Sequence, residues 1–196
     1  MYPGIYKTIL RWCGWKIVIP FDPAAIPQSL VVVMPHTSSW DFPVGLLVRG
    51  ALKWKVNFIA KDSLFKGMMG SILRRMGGYP VDRSVSHNFT SAVVDLYHRY
   101  TPLHIAIAPE GTRSKVDKLK SGFYYIARQA DIPVIFTALD FRRNEVVFAP
   151  PQKMNQSFEE EMKAIADFYK DKFGKHPEKQ FDFSYYQEHK YEAEEE

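Results

Sequence analysis

From residue 29 to residue 149 the chain alternates short runs rich in Val, Ile and Phe with stretches of helical spacing, and no other feature restricts its fold as much. The runs are "LVVVM" (30–34), "KVNFIA" (55–60), "YPVD" (79–82), "LHIAIA" (103–108), "PVIFTALDF" (133–141) and "EVVFA" (145–149). Their length and composition are those of strands covered on both faces. Between them, 41–53, 63–76, 88–100 and 119–130 carry apolar residues at helical intervals, as Leu64, Met68, Ile72 and Met76 do. A last helix is announced by Ser157 with Glu160 three positions on, a capping box, followed by Phe158, Met162, Ile165, Tyr169 and Phe173. This order implies an α/β fold with a largely parallel central sheet flanked by helices.

At 196 residues and 46% hydrophobic, the chain supports one sizeable core, so a single domain is expected over 21–175. The 176–196 segment reads as a tail whose acidic end is solvated. Setting aside Glu192, Glu194, Glu195 and Glu196 leaves 26 basic against 18 acidic residues, so the body is near +8. Such a body suits anionic partners. With no RNA-binding signature and no C-x-x-C pair, a phosphate-bearing ligand or an anionic membrane surface is favoured over nucleic acid.

Residues 1–20, "MYPGIYKTILRWCGWKIVIP", mix Ile5, Tyr6, Ile9, Trp12 and Trp15 with Lys7, Arg11 and Lys16. That pattern reads as a short amphipathic helix at a membrane interface, and equally as a helix packed on the domain's own core. The lone Cys13 excludes an internal disulfide, and no signal-peptide pattern opens the chain. The expected location is the cytoplasm, peripheral to the inner face of the membrane.

Three chemistry-bearing stretches fall where strands give way to helices, the place at which α/β sheets gather ligands. The first is "PHTSSWD" (35–41). On a continuous helix His36 and Asp41 would point about 140° apart and never meet. In a turn, His36 can fold back so that the Asp41 carboxylate accepts from one ring nitrogen while the other takes a proton, the arrangement of an oriented general base. No G-x-S-x-G nucleophile exists in the chain, so the activated hydroxyl belongs to a substrate. A His–Asp pair in a loop is also what simple capping and solvation produce. Metal ligation with His87, His98 or His104 is a further alternative, but none has the spacing of a known site, and no metal or other cofactor is expected.

The second stretch, "PEGTRS" (109–114), combines a turn-permitting glycine, two hydroxyls and Arg113, whose guanidinium can hold two phosphate oxygens at once. The third, "VDRS" (81–84), adds Arg83, and Lys61 ends another strand. The methionine-rich "LFKGMMGSILRRM" (64–76) suits either an acyl channel or a core helix.

In this order, the H-x-x-x-x-D of His36 and Asp41, "FIAKDSLFK" (58–66), "GGYPVDRS" (77–84), "PEGTRS" and "IPVIFTAL" (132–139) resemble the glycerolipid acyltransferase family typified by 1-acylglycerol-3-phosphate (lysophosphatidate) acyltransferases. The resemblance covers roughly residues 29–140. It implies that His36, oriented by Asp41, deprotonates an acceptor hydroxyl, which attacks the thioester of acyl-CoA or acyl-carrier protein. It also implies that Arg83, Glu110, Gly111, Thr112 and Arg113 hold the acceptor's phosphate and glycerol, with Lys61 nearby and Pro133 shaping the pocket. Three positions depart from the family pattern: Pro35 stands where asparagine is usual, Pro80-Val81 replaces an aromatic-Ile pair, and Phe136 replaces a second proline. These departures bear on which lysolipid is the acceptor, an amino-acid lysolipid included, more than on the chemistry. A lipid-binding protein that keeps the fold without catalysis, and a thioester or ester hydrolase using water, are the competing readings.

Overall fold

The computed structural model describes residues 3–81, 86–184 and 186, with backbone only at Pro3, Lys61, Val81 and 86–88. Its elements run α1 (Pro3–Trp12), β1 (Lys16–Val18), β2 (Gln28–Met34), α2 (Asp41–Leu52), β3 (Val56–Lys61), α3 (Gly67–Arg75), β4 (Gly78–Val81), α4 (Ser86–Arg99), β5 (Leu103–Ile107), α5 (Gly122–Gln129), β6 (Val134–Asp140), β7 (Glu145–Phe148) and α6 (Phe158–Tyr169). The alternation read from the sequence is therefore present, and the fold is α/β.

One seven-stranded sheet is ordered β1-β7-β6-β2-β5-β3-β4. Every pairing is parallel except the β6–β7 hairpin. The central strands are apolar throughout because both faces are covered: Leu30, Val32 and Met34 point into one core cluster, Val31 into the other. The first cluster is completed by α4, α5 and α6, the second by α1 and α2. The helices that follow adjacent strands β2 and β5 thus leave to opposite faces of the sheet. That divergence opens a crevice at the carboxyl ends of the two strands.

The segment 1–20 divides in two. Leu10 is buried against α2, whereas Ile5, Ile9 and Trp12 face outward, and Lys16–Val18 adds an edge strand beside β7. Three residues are too few to show a period, so β1 is placed by its pairing and has no sequence signal. At the other end, Phe181, Phe183 and Tyr186 are buried in the first cluster, Phe183 stacked on Tyr169 at 5.3 Å. The acidic end of the tail, 187–196, lies outside the described residues.

The capping box forms as the sequence implies: the Glu160 amide donates to Ser157 Oγ and the Ser157 amide to the Glu160 carboxylate. Phe136, which breaks the family's proline pattern, is 1% exposed in the middle of β6, edge-on to Phe123 and Tyr169. Truncating it leaves a cavity between two helices and the sheet, so Phe136→Ala should cost about 3–5 kcal/mol in equilibrium urea unfolding. A loss below about 1 kcal/mol would show that the site collapses around the void.

Candidate active site

β2, β5, β3 and β4 are neighbours and parallel, so the loops that follow them leave from one edge of the sheet. That edge receives His36 after β2, Lys61 at the end of β3 and "PEGTR" after β5. β4 ends there too, but Arg83 lies outside the described residues, and Lys61 is placed by its backbone alone.

His36 sits in the turn between β2 and α2 and does fold back. Its Nδ1 lies 2.9 Å from Asp41 Oδ2, and the same oxygen accepts from the Ser38 amide at 3.0 Å. Asp41 is the first residue of α2, where an acid complements the helix dipole, and only 3% of its side chain is exposed. With Nδ1–H donating to the carboxylate, Nε2 is the basic nitrogen. His36 is about a quarter exposed, enough to meet a substrate.

Glu110 is buried, and its Oε2 accepts the His36 backbone amide at 2.7 Å. The side chain after β5 therefore holds the loop after β2. Burial pushes this carboxyl up to about 7, opposed by the His36 and Phe181 amides and the charge of His36. Gly111 takes φ +68, and a Cβ there would lie 2.9 Å from Lys120 Nζ. The Thr112 hydroxyl accepts from the Ser114 amide at 3.3 Å and so serves its own turn.

A cavity of about 1200 Å³ opens on this crevice. His36, Asp41, Gly111 and Arg113 line it, while Glu110 and Thr112 do not. It runs along the α2-covered face of the sheet past Val31, Val33, Val48, Trp54, Val56 and Leu139, with Gly45, Leu46 and Phe58 beside it. A Cβ at Gly45 would meet nothing within 4 Å. The lining is mostly apolar, with His36, Asp41, Gly111, Arg113 and Lys120 grouped at the crevice and Arg49 and Asn57 towards the other end of α2, a form that suits a chain with a charged head.

Several contributors escape sequence reasoning. Lys120, just before α5, lines the cavity next to Gly111 and adds a cation, but one Lys in "KLKSG" carries no signal. The segment beyond α6 closes over the His36–Asp41 turn: the His176 amide donates to Thr37 Oγ1 at 3.2 Å, and Lys175 lies over the Trp40 ring. A Cβ at Gly174 would fall 2.5 Å from Thr37 Oγ1. His104 is elsewhere in the core, its Nδ1 2.8 Å from Ser29 Oγ, and burial lowers its pKa to about 4. Among the described residues no three His, Cys, Asp or Glu side chains gather as a metal cluster.

A family model described as Acyltransferase matches residues 22–139, more than half of the sequence. The chain belongs to the acyltransferase family. The match spans the His36–Asp41 turn, all the strands from β2 to β5, and β6 almost to its end. Among solved structures, this acyltransferase is similar to the 1-acyl-sn-glycerophosphate (LPA) acyltransferase PlsC from Thermotoga maritima. That likeness has a TM-score of 0.58 at 20% identity, over 88% of this chain and 80% of the other. No curated protein matches the sequence significantly.

The raised Glu110 carboxyl sets a pH dependence of stability. Between about pH 4.5, its ordinary value, and about 7, the folded acyltransferase keeps a proton that the unfolded chain has released, so this group's contribution is lost as pH rises through that window. Glu110→Gln retains an acceptor for the His36 amide and should flatten the decline. Urea midpoints at about pH 5 and about pH 8 measure it, and an unchanged decline in the variant would assign it to other groups.

Proposed function

We propose that this acyltransferase moves a fatty acyl group from acyl-CoA or acyl-carrier protein to the hydroxyl of a lysophospholipid of the 1-acylglycerol-3-phosphate type, a step of phospholipid biosynthesis. The observation that carries the reading is the position of the His36–Asp41 pair on the lining of a mostly apolar cavity, with Arg113 and Lys120 on the same lining. The acyl chain lies in the cavity and the acceptor's phosphate meets the cations. Lys61 and Arg83 add charge from neighbouring strand ends. Gly111 lets the backbone approach, and Glu110 and Thr112 shape the loop that presents Arg113.

In the reaction, His36 Nε2 takes the proton of the acceptor hydroxyl as its oxygen attacks the thioester carbonyl. The new C–O bond forms, the C–S bond breaks, and the departing thiolate takes the proton back from the imidazolium. Asp41 holds the imidazole in the tautomer that leaves Nε2 basic and stabilises its charged form. The residues on the cavity ask for no metal or redox cofactor in this sequence of bonds.

The acceptor is a membrane lipid, so the enzyme works on a surface. A basic body and the outward-facing Ile5, Ile9 and Trp12 of α1 support peripheral attachment to the anionic inner face of the membrane, from the cytoplasm. No helix among the described residues is long and apolar enough to cross a bilayer.

Thiol release from acyl-CoA, followed with and without each of a panel of lysolipids, tests the reaction. Acceptor-dependent release should fall by about a hundred- to ten-thousandfold in His36→Ala, and strongly in Asp41→Asn. Release independent of any acceptor would indicate a thioesterase, and lysolipid binding without release a non-catalytic binding protein. If the cavity holds the acyl chain, Gly45→Phe should depress transfer from long-chain acyl-CoA far more than from short-chain acyl-CoA. Equal loss for both would place the chain elsewhere.

A further inference from the structure

Within the methionine-rich stretch Leu64 and Leu73 line the cavity, but Met68 and Met69 neither line it nor pack in the core. α3 packs inward through Gly70, which lies against the Phe65 backbone, and through Leu73, which lines the cavity. Its other face is left bare: Met68 is 83% exposed, Met69 58% and Ile72 45%, and Leu64, in the turn just before the helix, 53%. α3 contains no acidic residue, and exposed Lys66 and Arg75 stand beside this face, while Arg74 turns to Phe65, donating to its carbonyl at 3.0 Å and lying over its ring.

We infer that the exposed face of α3, with Leu64, docks the enzyme on an anionic lipid bilayer so that the acyl cavity opens directly into the membrane. The inference deepens the lysophospholipid reading above and rests on it for the identity of the cavity's occupant. Two observations select a bilayer as the partner. The patch is continuous with the cavity, because Leu64 and Leu73 belong to its lining, as does Phe42 on the N-terminal turn of α2, itself a third exposed. An apolar surface joined to an apolar cavity lets a lipid chain pass between bilayer and site without crossing water.

The second observation is charge. Lys66 and Arg75 beside the apolar face outnumber the one exposed acid of the preceding turn, Asp62, and complement anionic headgroups, whereas a second copy of this chain would bring Lys66 and Arg75 of each molecule against one another. Methionine side chains also conform readily to disordered acyl chains. On this view α1, with Ile5 and Trp12, is at most a supporting contact, and α3 sets which way the site faces.

Sedimentation of the full chain with phosphatidylcholine vesicles, and with vesicles of phosphatidylcholine and phosphatidylglycerol in equal parts, tests this. The wild type should bind the anionic vesicles preferentially, and less at high salt. Met68→Glu/Met69→Glu should lower the bound fraction at least about tenfold, Met68→Leu/Met69→Leu should preserve it, and Ile5→Glu/Trp12→Glu should reduce it less. Both methionines are exposed and lie off the cavity lining, so thermal unfolding of the glutamate variant and its transfer to a dispersed short-chain lysolipid should match the wild type. Unchanged vesicle binding in the glutamate variant overturns the inference. So does binding that depends on α1 alone, or a wild-type dimer that the glutamate variant dissociates without any vesicle binding. Acyl transfer to the dispersed acceptor by a wild type that ignores both vesicles overturns the docking surface and leaves the transferase reading standing. Methionine-dependent vesicle binding without transfer does the reverse.

Discussion

One carboxylate oxygen organises the candidate site of this protein. Asp41 Oδ2 accepts from both the His36 ring and the Ser38 amide, and so closes a turn of six residues around itself. Without that closure His36 would leave β2 with no fixed direction. With it, the imidazole is held in one tautomer at the mouth of the cavity. Glu110 then ties the same turn to the neighbouring strand's loop through the His36 amide. His36 is therefore supported from two strands of the sheet, the fixed geometry that the proposed proton transfer would require.

The supports come from parts of the chain far apart in sequence. β2 and β5 lie side by side, yet 74 residues separate His36 from Glu110. The residues after α6 add a third support by packing on Thr37 and Trp40. Burial of Glu110 follows from this convergence. A carboxyl in the middle of three packed segments loses its water, and the amides of His36 and Phe181 offset only part of that loss.

The same layering that builds the site also explains the cavity. α2 covers one face of the sheet while α4, α5 and α6 cover the other, so the crevice between β2 and β5 leads under α2. Small side chains at Gly45 and Ala106 keep that space open, and large ones such as Trp54 and Phe148 bound it. α3 flanks the same space from the side and carries an outer face that is exposed among the described residues.

Much of this was legible in the linear sequence, because strand composition, helical spacing and the Ser157 capping box are local properties. His36 and Asp41 could be paired from spacing alone, since five residues fail on a helix and succeed in a turn. Arg113 and Gly111 reach the cavity as their strand-end position implies. The rest depended on tertiary structure. Whether a glutamate meets phosphate or a backbone amide is decided by which strand lies next to it, and Glu110 meets the amide. Whether Met68 and Met69 are core, channel or surface depends on which face of α3 the sheet edge leaves uncovered. Lys120, β1 and the C-terminal aromatic residues have no local signature because only packing gives them a role. Local chemistry therefore named the His36–Asp41 pair, and long-range contacts decided what surrounds it.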